Sequence, residues 1–327
     1  MRNIPKTLII KVMIQKLYQI IRTARPRQWL KNLSIFAAPV FAARLFMGDT
    51  FSLSLKAFIV FCAMSSGAYF LNDIVDAPRD RLHPIKKNRP IASGKLSMPL
   101  ALFVSLVLIA GSIIYSFTYL DDYFSMILVF YIILQLSYSF YFRNVIILDS
   151  LIVASGFVIR VFAGGFASKT SVSSWLALTT IGISMLLAFG KRRSEKTILA
   201  KLLGSAKDVE TRKTLRHYPD TLLDSMISMS AAYTILTYSL FSFMISPSRV
   251  STKISVFLPS VMKSPKLMML TIPVVIYGIA RYLYVIYEKE EGESPERALL
   301  SDKPLLASVV LWGLITMIVI FFLPELG

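Results

Sequence analysis

Residues 57–80, AFIVFCAMSSGAYFLNDIVDAPRD, run from an apolar stretch into a cluster of acidic side chains. The apolar part has the composition of a membrane-spanning helix. Asn72, Asp73, Asp76 and Asp80 follow within nine residues, where such a span would leave the bilayer. Charged groups at a membrane span are costly, and their presence indicates a functional site. The stretch therefore predicts a helical membrane protein with a site at one membrane face.

Composition extends this prediction to the whole chain. Apolar residues make up 55% of the 327 residues, and the mean hydropathy is +0.62. Long apolar runs recur throughout, which excludes a soluble globular protein. We expect an all-α polytopic membrane protein in which residues 1–327 form one domain with nine transmembrane helices. The predicted spans are centred near Phe36, Val60, Leu108, Val129, Val158, Ile183, Ile235, Val275 and Thr316.

The distribution of positive charge predicts the orientation. Most of the 36 lysines and arginines lie in the N-terminal segment 1–31 and in the loops that follow even-numbered spans. The positive-inside rule places these segments in the cytoplasm. The same loops account for most of the net charge of +17, so we expect no nucleic-acid partner. Leu8 to Ile21 is predicted to form an amphipathic helix on the membrane surface. No cleavable signal peptide is expected, and the lone Cys62 excludes a disulfide within the chain.

The spacing of the acidic cluster favours a metal site. On a continued helix Asn72, Asp76 and Asp80 lie along one side, and Asp73 extends this stripe. Mg2+ prefers such oxygen ligands and completes its coordination shell with water and substrate phosphates. Pro78 is expected to open the helix, which would displace Asp80. The alternative is a set of polar helix-end residues that face water.

A basic loop follows the acids directly. It carries His83, Lys86, Lys87 and Arg89 within seven residues. Such cations can bind the diphosphate of a leaving group through charge-assisted hydrogen bonds. A solvated loop that only sets the topology is the alternative. The adjacent acids favour a binding site for a diphosphate with its metal.

A second basic motif, GKRRSE at residues 190–195, follows the sixth predicted span. Its three cations and one glutamate cannot ligate Mg2+ as a carboxylate cluster does. They can hold a phosphate monoester directly. A positive-inside flank is the alternative, and it does not account for the scarcity of acids at this place.

The acidic motif with its basic continuation, RPRQWLKN at 25–32 and IRVFAGG at 159–165 together resemble the UbiA superfamily of intramembrane prenyltransferases. The resemblance covers nearly the whole chain and implies a UbiA-like helical bundle in the inner membrane with a cytoplasmic active site. Ordinary members carry a second Asp-rich motif after the sixth span. The GKRRSE motif is instead similar to the branch of decaprenyl-phosphate phosphoribosyltransferases, which has a Lys-Arg pair and a Glu there.

This resemblance implies transfer of 5-phosphoribose from phosphoribosyl diphosphate to a polyprenyl phosphate in the lipid bilayer, with Mg2+ as cofactor. An oxygen of the lipid phosphate would displace diphosphate from C1 of the ribose. The implied metal ligands are Asn72, Asp73, Asp76 and Asp80. The implied donor contacts are Lys31, Asn32, Lys86 and Arg89, while Lys191, Arg192 and Glu195 would hold or orient the acceptor phosphate. The implied catalytic residues are Asp76, Asp80, Lys191 and Arg192.

Three further polar residues lie in apolar surroundings. Arg160 is deep in the fifth predicted span and should face the bundle interior, either in a structural ion pair or in contact with substrate. Asp149, near the cytoplasmic end of that span, would orient a site residue or cap the helix. Tyr138 would be an interfacial anchor or a substrate contact.

Two other functions stay open at the level of sequence. Prenyl transfer to an aromatic or haem-like acceptor would require another carboxylate pair in place of the missing second motif. A non-enzymatic lipid transporter or binding protein would be expected to have polar residues deep in several spans. Beyond Arg160 the predicted spans contain almost none.

Overall fold

The computed structural model describes residues 6–82, 86–203, 218–245, 266–289 and 294–322. Within these ranges the secondary structure is helical and contains no β-strand. The α-helices are α1 (Lys6–Ala24), α2 (Ala37–Phe41), α3 (Thr50–Asp80), α4 (Met98–Tyr119), α5 (Asp122–Phe140), α6 (Leu148–Ala167), α7 (Ser174–Leu203), α8 (Asp220–Ile245), α9 (Ile272–Tyr284), α10 (Pro295–Ser301) and α11 (Lys303–Met317).

Short helices of other types extend or connect these elements. The 3-10 helices are Pro26–Phe36, Lys86–Asn88, Phe142–Asn144 and Leu267–Thr271, and the π-helices are Val285–Lys289 and Ile318–Phe322. Within the described ranges, eight helical segments are long and apolar enough to cross a membrane. Each contains one of the predicted centres from Val60 to Thr316. The prediction of an all-α, multi-pass membrane protein is confirmed.

The predicted first span, around Phe36, differs from the other eight. It is the 3-10 helix Pro26–Phe36 continued by the five-residue α2, so it does not count as a regular span, and nine regular spans are not observed in the described residues. The segment starts beside one end of α3, because Arg25 pairs with Asp73. It ends at the other end of α3, which begins at Thr50. The intervening segment thus runs about 35 Å along α3. A 3-10 helix rises about 2 Å per residue, so few residues cover this distance.

Close backbone packing holds this segment against α6. At Gly164 an added Cβ atom would overlap the carbonyl oxygen of Ile35, a contact that no side chain permits. Ile35 is fully buried and belongs to a core that α3, α5 and α6 share. The absence of a side chain at Gly164 therefore lets the 3-10 helix approach α6 and fixes the position of Lys31 and Asn32.

Pro78 does not open α3, so that expectation is wrong. The helix continues to Asp80, and the N–H group of Arg81 still bonds the carbonyl of Ala77. Pro78 removes only one intrahelical donor, close to the helix end. Asp80 is buried and paired with Arg89, which stabilises the last turn.

Helix α1 lies at the same end of α3. Its apolar side chains Met13, Ile14, Leu17, Tyr18 and Ile21 are exposed. Its buried positions are instead polar, Gln19 and Thr23. The contact with the bundle uses Gln19 and Thr23 together with Ile20 and Ala24 near the end of α1, and the apolar side chains named above stay exposed. The predicted amphipathic helix is present, and its apolar face is available to lipid.

The short helix α10 is anchored beside this end of the bundle by Asp302. The carboxylate of Asp302 accepts bonds of 3.0 Å from Nε and Nη2 of Arg281 and 2.7 Å from Nζ of Lys289. It also caps α11 by accepting from the N–H of Leu305 at 2.9 Å. The hydrogen bonds from Arg281 hold the pKa of Asp302 far below its usual range. The ion pairs thus link α9, α10 and α11.

Candidate active site

The acids at the end of α3 divide into two groups. Asp73 and Asp80 are seven residues apart, so they lie within about 20° of each other around the helix. Both contact Nη1 of Arg89, at 3.2 Å from Oδ1 of Asp73 and 2.6 Å from Oδ2 of Asp80. Arg25 also pairs with Asp73 at 2.5 Å. This first group is buried and neutralised by two arginines.

Asn72 and Asp76 form the second group and face α5. The hydroxyl of Ser139 donates to the side-chain oxygen of Asn72, and Arg143 pairs with Asp76. Asn72 and Asp76 are four residues apart, which places them on a shared side of α3. The predicted single stripe of ligands is therefore spread around the helix end.

The donor set fits a divalent cation only if its arginine partners move. In the part of the chain that the structure describes, no group of three His, Cys, Asp or Glu residues is arranged to hold a metal ion. Nη1 of Arg89, however, lies between carboxylate oxygens of Asp73 and Asp80, which is where a bound cation would be held. Carboxylate and amide oxygens of this kind suit Mg2+. The chemistry of the residues is thus compatible with the predicted metal.

The basic loop is described from Lys86 onwards, and His83 lies outside the described residues. Lys86 is half-buried in the 3-10 helix Lys86–Asn88, whereas Lys87 is exposed. Burial alone would lower the pKa of Arg89, but Asp73 and Asp80 outweigh it and raise the pKa above its usual value. Arg89 therefore stays charged beside the acids that it contacts.

The second basic motif separates its cations. Arg192 is buried, and its guanidinium contacts Asp149 at 2.6 Å and Glu195 at 2.7 Å. Nη2 of Arg192 also donates to the hydroxyl of Tyr138 at 2.9 Å. Asp149 in turn accepts from the hydroxyl of Tyr218 at 2.5 Å. Two acids thus neutralise Arg192, and Asp149 orients it.

Lys191 and Arg193 point to different neighbours. Nζ of Lys191 lies 3.8 Å from Oε1 of Glu195, and its side chain is 32% exposed. Arg193 instead pairs with Asp224 at 2.9 Å and Asp220 at 3.4 Å on α8. Of these two cations, Lys191 is therefore the one directed towards the other predicted site residues.

Lys31 reaches a residue that the sequence did not single out. Its ammonium donates to Oε1 of Gln28 at 2.5 Å and lies 3.3 Å from Oε2 of Glu296. Gln28 donates to the other carboxylate oxygen, Oε1 of Glu296. Burial raises the pKa of Glu296, but the charge of Lys31 outweighs this effect, and the net pKa is below its usual value. An ionised carboxylate on α10 thus orients Lys31.

Asn32 and Arg160 form a buried polar network of their own. Oδ1 of Asn32 accepts from Nε of Arg160 at 2.6 Å, while Nδ2 of Asn32 donates to Sγ of Cys62 at 3.1 Å. Arg160 further donates to the hydroxyl of Tyr131 at 3.1 Å. Arg160 thus faces the interior as expected, and the contacts described for it are to neutral groups.

The groups described above meet at the acidic end of α3. The guanidinium of Arg25 stacks over the ring of Tyr69 at 5.1 Å while it pairs with Asp73. Lys31 and Gln28, a few residues after Arg25, contact Glu296. At the end of α5, Tyr138 bonds Arg192, and Arg143 just after it pairs with Asp76, so the second basic motif lies at the same end of the bundle as the acids. The predicted residues Asp73, Lys31 and Lys191 therefore border one region, to which the structure adds Arg25, Gln28 and Glu296. In the sequence, Arg25 and Gln28 belong to the RPRQWLKN motif, and Glu296 lies in the polar segment before α11. These positions were the available signal for the additions.

Comparison with known proteins gives consistent matches. The profile of the UbiA prenyltransferase family matches residues 33–301. Decaprenyl-phosphate phosphoribosyltransferase of Corynebacterium glutamicum is 32% identical over 307 residues, covering 93% of this chain and 87% of the relative. The enzyme of that name from Mycolicibacterium smegmatis is 35% identical over 228 residues, covering 68% of this chain and 70% of the relative.

Solved structures match at the level of the fold. A UbiA homologue from Archaeoglobus fulgidus bound to GPP and Mg2+ superposes with a TM-score of 0.65 at 18% identity, covering 92% of this chain and 99% of that one. The same homologue bound to DMAPP and Mg2+ superposes with a TM-score of 0.62 at 16% identity, covering 92% and 96%. The bundle described above is therefore the fold of these proteins.

Proposed function

The chain belongs to the UbiA prenyltransferase family, and from this premise we propose that it transfers 5-phosphoribose from phosphoribosyl diphosphate to a polyprenyl phosphate and releases diphosphate. The basic motif at residues 190–195 carries this proposal, because it offers cations to a phosphate where a second metal site would need carboxylates. The relatives named as decaprenyl-phosphate phosphoribosyltransferases support it.

The acidic end of α3 would receive the diphosphate of the donor. Asn72, Asp73, Asp76 and Asp80 would hold Mg2+, which would neutralise charge on the departing diphosphate. The UbiA homologue structures that contain Mg2+ support this choice of metal. Arg89 is ion-paired with two of the acids, so it would turn towards the diphosphate oxygens when the donor binds. Lys86 would add a second phosphate contact.

The acceptor phosphate would lie beside Lys191. An ionised phosphate monoester is nucleophilic near neutral pH, so its oxygen can attack C1 of the ribose without a strong general base. The bond from C1 to the diphosphate oxygen breaks as the new bond from C1 to the lipid phosphate forms. Arg192 is paired with Asp149 and Glu195. We therefore propose that Arg192 shapes the site and does not leave these two acids to bind the phosphate itself.

The setting follows from the substrates. The isoprenoid tail is insoluble in water, whereas the sugar donor is cytosolic. We therefore place the site at the cytoplasmic face of the inner membrane, with residues 1–327 acting as one domain and the lipid tail leaving sideways between helices.

Prenyl transfer is the competing function. The superposed homologue from Archaeoglobus fulgidus is bound to GPP, a prenyl diphosphate, and it shares the fold. Its chemistry would place a prenyl diphosphate at the acids of α3 and an aromatic acceptor opposite. That reaction would need a second metal site for the prenyl diphosphate. Residues 190–195 offer three cations and one glutamate instead of the carboxylates that such a site requires.

The test is transfer of labelled phosphoribose from phosphoribosyl diphosphate to polyprenyl phosphate by the purified protein, with and without Mg2+. We expect Asp80→Asn and Lys191→Ala to reduce transfer at least 100-fold, since each removes charge from one phosphate site. Asp122→Asn and Lys95→Ala alter exposed charges elsewhere and should leave transfer unchanged. Activity with a prenyl diphosphate and an aromatic acceptor, but none with phosphoribosyl diphosphate, would contradict the proposal.

A further inference from the structure

Two buried side chains, Glu296 beside Lys31 and Tyr282 beside Gly190, each have a polar atom without a hydrogen bond to the described residues. Oε2 of Glu296 lies 3.3 Å from the Lys31 ammonium without the alignment of a hydrogen bond. The hydroxyl of Tyr282 has no hydrogen-bond partner among the described residues. Both side chains are more than nine-tenths buried. Buried polar groups almost always have a partner, either a protein group, an ordered water or a ligand, so the two atoms are open to a partner from outside the chain.

The two atoms border the same place. Tyr282 packs in the same buried cluster as Ala298, which lies two residues after Glu296 on α10. Its hydroxyl oxygen also lies 3.0 Å from where a Cβ of Gly190 would be, immediately before Lys191. The small residue at 190 leaves room beside the tyrosine hydroxyl. The pair therefore lies between Lys31 and the second basic motif.

The chemistry of the pair selects a hydroxyl group. An ionised carboxylate only accepts hydrogen bonds, and it repels phosphate oxygens. A tyrosine hydroxyl can donate a hydrogen bond. A ligand hydroxyl can donate to Oε2 of Glu296 and accept from the hydroxyl of Tyr282 at the same time. A fully ionised phosphate has no hydrogen to donate to the carboxylate, and an ammonium leaves the O–H of Tyr282 without an acceptor.

We propose that Glu296 and Tyr282 form a subsite for a ring hydroxyl of the ribose in the phosphoribosyl donor. This proposal rests on the proposed function and adds substrate contacts to it. Glu296 contacts Lys31 and Gln28, a few residues after Arg25, which pairs with Asp73 of α3. Tyr282 borders Gly190 beside Lys191, so the subsite lies between the acids of α3 and the second basic motif. A sugar that carries its diphosphate to the acids must occupy that interval when its C1 meets the acceptor phosphate.

Binding measurements with four probes test the subsite: phosphoribosyl diphosphate, its 2-deoxy analogue, its 3-deoxy analogue and inorganic diphosphate. We expect the wild-type protein to bind the full donor about 10–100-fold more tightly than one of the deoxy analogues. Glu296→Gln and Tyr282→Phe should each remove most of this difference. Neither should change the affinity for inorganic diphosphate, which has no hydroxyl.

Matched controls are available on the same segment. Glu288 and Tyr284 are exposed, so Glu288→Gln and Tyr284→Phe should keep the wild-type preference. If Glu296→Gln weakens inorganic diphosphate as much as the donor, Glu296 only holds Lys31, and the subsite is refuted. Wild-type transfer of phosphoribose with an unchanged preference in Tyr282→Phe would also refute it while leaving the proposed function intact. A wild-type protein that neither binds nor transfers phosphoribose overturns both.

Discussion

At the scale of single residues, charge pairing decides what each predicted site residue can do. Arg89 lies between Asp73 and Asp80, and its side chain is partly accessible. It can therefore release the two acids to a metal and bind a diphosphate instead. Arg192 is enclosed by Asp149 and Glu195 and has a side chain only 1% exposed. Residues of the same type thus differ in role because their surroundings differ.

The first prediction concerns the buried pair of Asp149 and Arg192. Asp149→Asn removes one partner and leaves part of the Arg192 charge uncompensated. We expect a loss of about 3–5 kcal/mol in the free energy of unfolding, because breaking a buried pair costs more than the pair itself contributes. Thermal and denaturant unfolding of the detergent-solubilised protein measure this loss.

Asp122→Asn, which changes an exposed aspartate at the start of α5, is the control and should unfold like the wild type. Replacing both partners, Asp149→Asn with Arg192→Met, should restore part of the loss, since the buried guanidinium is then absent and Glu195 keeps Lys191 as a partner. Equal unfolding midpoints for Asp149→Asn and the wild type would show that the pair does not carry stability.

The sequence predicted the local part of this site and not its long-range pairs. Asp73, Asp76 and Asp80 lie on one helix, so their proximity could be predicted from their spacing in the sequence. Glu296 lies 265 positions after Lys31 in the chain, and no periodicity links the two. Their contact depends on how α10 docks against the 3-10 helix, which only the folded structure defines.

At the scale of elements, the regular spans were readable from sequence because an apolar run of bilayer length rarely forms anything but a membrane-spanning helix. The conformation of the segment near Phe36 could not be predicted from sequence, because its 3-10 geometry depends on packing against α6. The continuation of α3 through Pro78 was also missed. A proline disfavours helix in general, but here the buried ion pair of Asp80 holds the last turn.

The second prediction tests the packing of the 3-10 helix on α6. Gly164→Ala places a methyl group where the carbonyl oxygen of Ile35 lies, so the backbone must shift. We expect a loss of about 1–3 kcal/mol or more in stability and weaker donor binding, since Lys31 moves with the helix. Gly111→Ala is the control: it has no neighbour within 4 Å and should be neutral or slightly stabilising. Equal stability of the two variants would contradict the assigned packing.

The third prediction concerns the exposed apolar face of α1. A polarity-sensitive fluorophore attached through Leu17→Cys should emit at shorter wavelength in lipid nanodiscs, because that face would lie in the bilayer interface. The same fluorophore at Gln15→Cys, on the polar side, should report an aqueous environment. Lipids with a quencher in the acyl chain should quench only the first probe. Similar spectra at both positions would mean that α1 does not lie on the membrane.

At the scale of the whole molecule, charge distribution and site position point to the same membrane face. Asp80, Lys191 and Lys31 come from distant parts of the sequence and gather at one end of the bundle. The loops at that end also carry most of the positive charge. Under the proposed function, positive charge would serve both the orientation in the membrane and the binding of phosphates, and both roles predict the same topology.

The fourth prediction follows from this coincidence and is tested by thiol labelling. Lys95 lies in the loop at the site end, and Lys169 follows α6 at the opposite end; both are exposed. In right-side-out membrane vesicles a membrane-impermeant maleimide should label Lys169→Cys directly and Lys95→Cys only after permeabilisation, because the basic face lies in the cytoplasm. Wild-type protein is the control, since its one cysteine, Cys62, is buried. The reverse pattern would place the acids of α3 outside the cell, away from any cytosolic sugar donor, and would exclude the proposed reaction in the cell.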